Sequence, residues 1–183
     1  MTMKKVAVVY WSGTGNTEAM ANQVLIGAQD AGAQAQLFQA SEFSADQMDS
    51  FDAVAFGCPS MGAEQLEEGE FEPMFSSCEP KLSGKPIALF GSYGWGDGEW
   101  MRNWEETCRS DGANLAAGFV ICNDAPDEDA CTACQELGKA LQRRFSQSAP
   151  SHFTSALIDS TNSDFSLVGL VSSKRRLNSP LYF

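Results

Sequence analysis

The chain has 183 residues, 43% hydrophobic and 20% charged, enough to bury one sizeable core and suited to a single folded domain. Its formal net charge is -12 and no Lys or Arg lies between Lys5 and Lys81, a balance that repels nucleic acid and anionic membrane and draws in a basic patch on a partner protein. No stretch reaches the apolar length of a bilayer span, and Met1 to Tyr10 lacks the apolar region of a secretory signal, so a soluble, cytoplasmic protein with reduced cysteines is expected.

In chain order, Val6 to Val9 predicts a first strand, and Met20, Val24 and Ala31 space as a helix that Gly32 would cap. Ala33 to Phe38 predicts a weaker second strand, Ala53 to Phe56 a third and Ile87 to Phe90 a fourth. Trp100, Trp104 and Cys108 then mark a helix ending near Gly112, Leu115 to Ile121 a fifth strand, and Ala130, Cys134, Leu137, Leu141 and Phe145 the stripe of a last helix. The main strand runs lack strict alternation, as strands buried on both faces of a parallel sheet do. Such βα alternation predicts an α/β fold: a doubly wound, five-stranded parallel sheet with helices on both faces. It is complete within residues 1–146. The Ser-rich segment 147–183, with Lys174, Arg175 and Arg176 near its end, is expected to be a flexible or non-native extension.

The first strand runs into Ser12-Gly13-Thr14-Gly15-Asn16-Thr17, and a helix follows at once. A glycine-rich turn feeding a helix N-terminus offers unpaired N–H groups and the positive end of a dipole to an anion. The side chains of Ser12, Thr14, Asn16 and Thr17 add donors. A nucleoside-triphosphate loop would need a Lys before its last Ser or Thr, and a dinucleotide fingerprint a third glycine where Glu18 stands. ATP and NAD are both disfavoured, and the phosphate would be held by neutral donors.

Two more loops leave C-terminal strand ends, where open α/β sheets bind ligands. One reads Gly57-Cys58-Pro59-Ser60-Met61-Gly62-Ala63-Glu64, the other Gly91-Ser92-Tyr93-Gly94-Trp95-Gly96-Asp97-Gly98-Glu99-Trp100. With SGTGNT after strand one, GCPSMG after strand three and GSYGWGDGEW after strand four, the chain resembles the short-chain bacterial flavodoxins over roughly residues 1–146.

That resemblance implies strand order 2-1-3-4-5 with FMN at the switch point between strands one and three. It implies that residues 12–17 wrap the FMN phosphate, that Met61 packs on the inner face of the isoalloxazine and Trp95 on the outer, that Glu64 accepts from flavin N3–H, and that the Gly62 carbonyl faces N5. Pro59, Ser60, Ser92, Tyr93, Gly94, Gly96 and Asp97 complete the two flanking loops as cofactor-binding candidates, and Asn123 would reach the ribityl chain or ring edge. An aromatic on one side and a polarizable thioether on the other suit a flat redox-active ring. Ala63 and Pro59 depart from the polar residues that relatives often carry there.

Cys131-Thr132-Ala133-Cys134 is a CxxC near a helix start, but Cys134 falls on the apolar stripe, which disfavours a dithiol centre. The single histidine, His152, lies beyond the core, so neither zinc nor a hydrolytic triad is supported. The acidic runs Glu64 to Glu72 and Asp124 to Asp129 are expected as a solvated rim. The function expected is a low-potential, one-electron FMN carrier without substrate turnover, a monomer serving redox proteins with basic docking patches, such as reductases and oxidoreductases. The alternative is an FMN-dependent NAD(P)H or quinone oxidoreductase on the same fold, which would need room over the flavin where Trp95 would stand.

Overall fold

The computed structural model describes residues 3–146. The strands are β1 (Lys5–Tyr10), β2 (Gln34–Gln39), β3 (Ala53–Gly57), β4 (Pro86–Tyr93), β5 (Asn114–Leu115) and β6 (Val120–Asn123). Between and after them lie α1 (Asn16–Asp30), α2 (Ala45–Met48), α3 (Phe71–Cys78), α4 (Glu99–Ser110) and α5 (Glu128–Ser146). Short 3-10 turns occupy Ala40–Glu42 and Glu79–Lys81. The sheet is parallel throughout, in the order β2-β1-β3-β4, with β5 and β6 both on the outer edge of β4.

Alternate strand residues feed two cores, one on each face. Val6, Val8, Tyr10, Ala53, Ala55, Ala88 and Phe90 pack beneath α1 and α5, against Met20, Val24, Leu137 and Leu141. Ala7, Val9, Val54, Phe56, Ile87 and Leu89 pack with α2, α3 and α4, where the Trp104 ring stands edge-on to Phe71 and Phe75 at 5.4 and 5.3 Å. The α1–α5 crossing is backbone to backbone. A Cβ on Gly27 would sit 2.0 Å from the Gln135 carbonyl oxygen, and one on Gly138 would sit 2.1 Å from that of Val24.

Two features differ from the sequence expectation. Leu115 to Ile121 is not one strand, because Leu115 pairs with Ile87 and Val120 with Phe90. Four residues, 116–119, therefore stand opposite the two residues 88–89. The surplus leaves the ladder as an exposed kink at Ala117-Gly118. Helix α3, like the short α2, is not among the elements the sequence predicts, although Phe71, Met74, Phe75 and Cys78, all buried, lie at helical spacing.

Helix α1 ends where Gly32, at φ +89°, turns the chain and Ala33 N–H returns to the Ala28 carbonyl at 3.0 Å. Among the described residues no helix is long and apolar enough to cross a membrane. The side chain of Phe145 and the proposed extension at 147–183 lie outside the described residues.

Candidate functional site

Because β1 and β3 are neighbours whose following helices lie on opposite faces, their C-terminal ends open a crevice at the switch point. The 12–17 loop forms one wall. Gly15, at φ +90°, caps α1 and donates its N–H to Ser12 Oγ at 3.0 Å, so the serine keeps its own hydroxyl proton for a ligand. Thr17 is buried, with its Oγ1 2.9 Å from Ser92 Oγ, and this pair ties the loop to β4. Thr17 and Ser92 thus brace the wall, and the hydroxyl that accepts in this pair keeps its own proton. Beside it, Tyr10 donates to Glu18 Oε1 at 3.1 Å, and burial, then that hydrogen bond, pushes the phenol above its ordinary pKa.

The loop after β3 is pinned by Ser60 N–H to the Ser92 carbonyl at 2.9 Å and closed by two reciprocal 2.9 Å bonds between Met61 and Gln65. Gly62 and Glu64, within this turn, have φ of +51° and +53°. Glu67 then accepts from the N–H groups of Gly69, Glu70 and Phe71 at 2.7, 2.8 and 2.9 Å, capping α3. Burial raises the Glu67 carboxyl, but these three donors outweigh it and hold the group below its ordinary value.

The loop after β4 joins the same crevice. Trp100 donates from Nε1 to the Cys58 carbonyl at 3.3 Å and packs on the Tyr93 ring at 5.6 Å. Glu64 Oε1 accepts from Gly98 and Glu99 N–H at 3.0 Å each. Asp97 is bound to Arg102, Oδ1 to Nη2 at 2.7 Å, and is drawn into that pair. Trp95 and Met61 stay 63% and 38% exposed, among the few large apolar side chains left to solvent in the described residues.

The crevice encloses about 220 Å³. Nine expected residues line it: Gly13, Thr14, Asn16, Pro59, Ser60, Met61, Ser92, Tyr93 and Gly94. Ser12, Gly15, Thr17, Gly62, Glu64, Trp95, Gly96, Asp97 and Asn123 flank or brace it. Asn123 braces through its side-chain amide, which donates to the Tyr93 carbonyl at 3.1 Å. Sequence reasoning missed Trp11 and Asp124, which also line it. Each directly follows a strand and stood one residue from a residue already singled out.

A roomier hollow of about 320 Å³ opens between α3 and α4. Glu68, Glu72 and Glu79 rim it, so it suits no anion. Of the CxxC pair, Cys134 is buried and its thiol is pushed up to about 12, by burial first and then by Cys122 and Cys131. All six cysteines are free, and among the described residues no cluster of His, Cys, Asp or Glu is arranged to hold a metal.

Residues 8–138 match the family model described as Flavodoxin. The chain is 46% identical over 138 residues to the flavodoxin of Megasphaera elsdenii, covering 75% of this chain and 98% of that protein. It is 44% identical over 134 residues to that of Clostridium beijerinckii, covering 73% and 96%. The solution structure of two-electron reduced Megasphaera elsdenii flavodoxin superposes with a TM-score of 0.70 at 45% identity, over 75% of this chain and 98% of that one. These relatives do not favour the oxidoreductase alternative. The chain belongs to the flavodoxin family, FMN-binding proteins that carry electrons between redox partners and turn over no substrate of their own.

Proposed function

We propose that this crevice holds one FMN, its phosphate in the 12–17 loop and its ring between Met61 and Trp95, and that the protein is a low-potential one-electron carrier. The observation that carries this reading is an uncharged anion loop meeting two partly exposed, polarizable side chains at the β1/β3 switch point.

The donors present fit a phosphate monoester: backbone N–H groups at the α1 N-terminus, with the side chains of Ser12, Thr14 and Asn16. A Cβ on Gly13 would stand 3.0 Å from the Trp11 ring, so a side chain there would require that ring to shift by a few tenths of an ångström. Bound FMN supplies the redox centre, and the chain binds, orients and shields it. Glu64 would accept from N3–H, and Gly62 would offer its carbonyl to N5. Thr17, Ser92 and Asn123 hold the walls.

Glu64, Glu67, Glu68, Glu70, Asp97 and Asp124 lie on or beside the loops around the crevice. Each carboxylate at about 12 Å opposes added negative charge by roughly 0.5 kcal/mol at an effective dielectric near 50. On a one-electron scale that is about 20 mV, so several together depress the potential by on the order of 100 mV. The same acidic rim fits partners that present basic patches. The carrier acts as a monomer in the cytoplasm, a reading supported by its free thiols and by exposed large apolar side chains confined, among the described residues, to Met3, Ile26, Met61 and Trp95.

Absorption spectra during stepwise reduction test the reading. The purified protein should be yellow, carry one FMN per chain and reduce with no substrate present. A protein that stays colourless after incubation with FMN overturns it. Sustained NADPH oxidation with a quinone and no added reductase would instead assign the oxidoreductase role.

A further inference from the structure

We propose that Glu64 is a positioning residue: its carboxylate clasps the loop after β3 to the first turn of α4 and so sets where Trp95 stands beside the crevice. The inference rests on the FMN reading above and adds a second role for the same side chain.

Helix α4 has no side-chain cap of its own at Gly98. Glu64, 34 residues earlier in the chain, takes that place, with Oε1 3.0 Å from the N–H groups of both Gly98 and Glu99. An ionised carboxylate at the positive end of a helix gains from the dipole and from both bonds. Glu64 holds a left-handed backbone, φ +53°, which a residue other than glycine keeps only when its surroundings hold it. The turn closes hard on this carboxylate. A Cβ on Gly96 would lie 2.5 Å from Glu64 Cδ and 2.6 Å from Oε1, and Gly96 itself sits at φ +90°. On the other side, Arg102 grips Asp97 through its carbonyl at 2.8 Å and its carboxylate at 2.7 Å. Trp95 precedes this twice-held turn and is 63% exposed, so the turn and not side-chain packing sets the place of its ring.

One carboxylate can serve two sides, with Oε1 on α4 and Oε2 toward the N3–H of a bound flavin. Glutamine cannot. With its oxygen on α4, its NH2 group meets N3–H donor against donor.

Two measurements separate clasp from ligand. In the apoprotein, amide hydrogen exchange at Gly98 and Glu99 should speed up about tenfold in Glu64→Ala, with little change in Glu64→Gln. In FMN titrations, Glu64→Gln should bind more weakly than the parent despite its intact clasp. Glu64→Ala and Trp95→Ala should be non-additive by about fivefold, the hallmark of two residues acting through one contact. Unchanged exchange at Gly98 and Glu99 in Glu64→Ala overturns the clasp, and additive losses of affinity overturn the positioning of Trp95. If the parent takes up no FMN, the FMN reading falls while the exchange measurement still decides the clasp.

Discussion

Gly62 is where a single substitution tests the proposed redox site. It sits at φ +51° in a turn closed by the Met61–Gln65 bonds, with open space where a Cβ would be. The obstacle to a side chain is therefore backbone strain, not crowding. Threonine there should cost about 1–2 kcal/mol. Since N5 gains a proton when flavin takes up an electron, a carbonyl that can turn toward it favours that step. Gly62→Thr is expected to make the first-electron potential more negative by roughly 40 to 90 mV. Gly62→Asn should shift it less, because asparagine tolerates the left-handed region. Spectroelectrochemical titration of the three proteins checks the order, and equal potentials would remove Gly62 from the redox site. The glycine and its neighbours were legible as a loop motif. The roles of Thr17, Ser92 and Asp97 were not, because each depends on a partner, and only Arg102, five residues beyond Asp97, lies nearby in sequence.

Among the elements, α3 shows how pH enters. Its cap is the Glu67 carboxylate, held below its ordinary pKa by three backbone donors despite burial. A depressed folded value means the stabilisation is complete above the ordinary value of 4.5 and fades as pH falls through the folded one. Glu67→Ala should cost about 1–2 kcal/mol near neutrality. The gap between parent and Glu67→Gln should narrow on acidification below 4.5, as urea melts at a series of pH values would show. A constant gap would mean the ionised cap contributes nothing. The strands β1, β3 and β4 could be read from the sequence because each is an apolar run buried on both faces. The kink between β5 and β6 could not. Leu115 to Ile121 is a largely apolar run, and its two-residue surplus exists only against the register of β4.

For the whole molecule, the family match ends at residue 138 and the described residues at 146, and we propose that 147–183 is dispensable for the fold. A chain ended after Ser146 is expected to melt within about 4 °C of the full chain and bind FMN equally well. A larger drop would show that the extension contributes to stability. Net charge governs the remaining behaviour. Electron transfer to a partner with a basic patch should slow on the order of tenfold between low and high ionic strength, as stopped-flow rates would show. A rate indifferent to salt would exclude steering by charge.

The uncharged loop at 12–17 gives salt the opposite sign for the cofactor. With no Lys or Arg between residues 6 and 80, the proposed capture of a phosphate dianion would rely on dipoles that act only at contact, while a chain of net charge -12 repels that anion on approach. Screening removes the repulsion and leaves the contact bonds intact, so apoprotein should load FMN faster as ionic strength rises. One rise in salt would thus yield a carrier more fully loaded with cofactor yet slower to hand its electrons on.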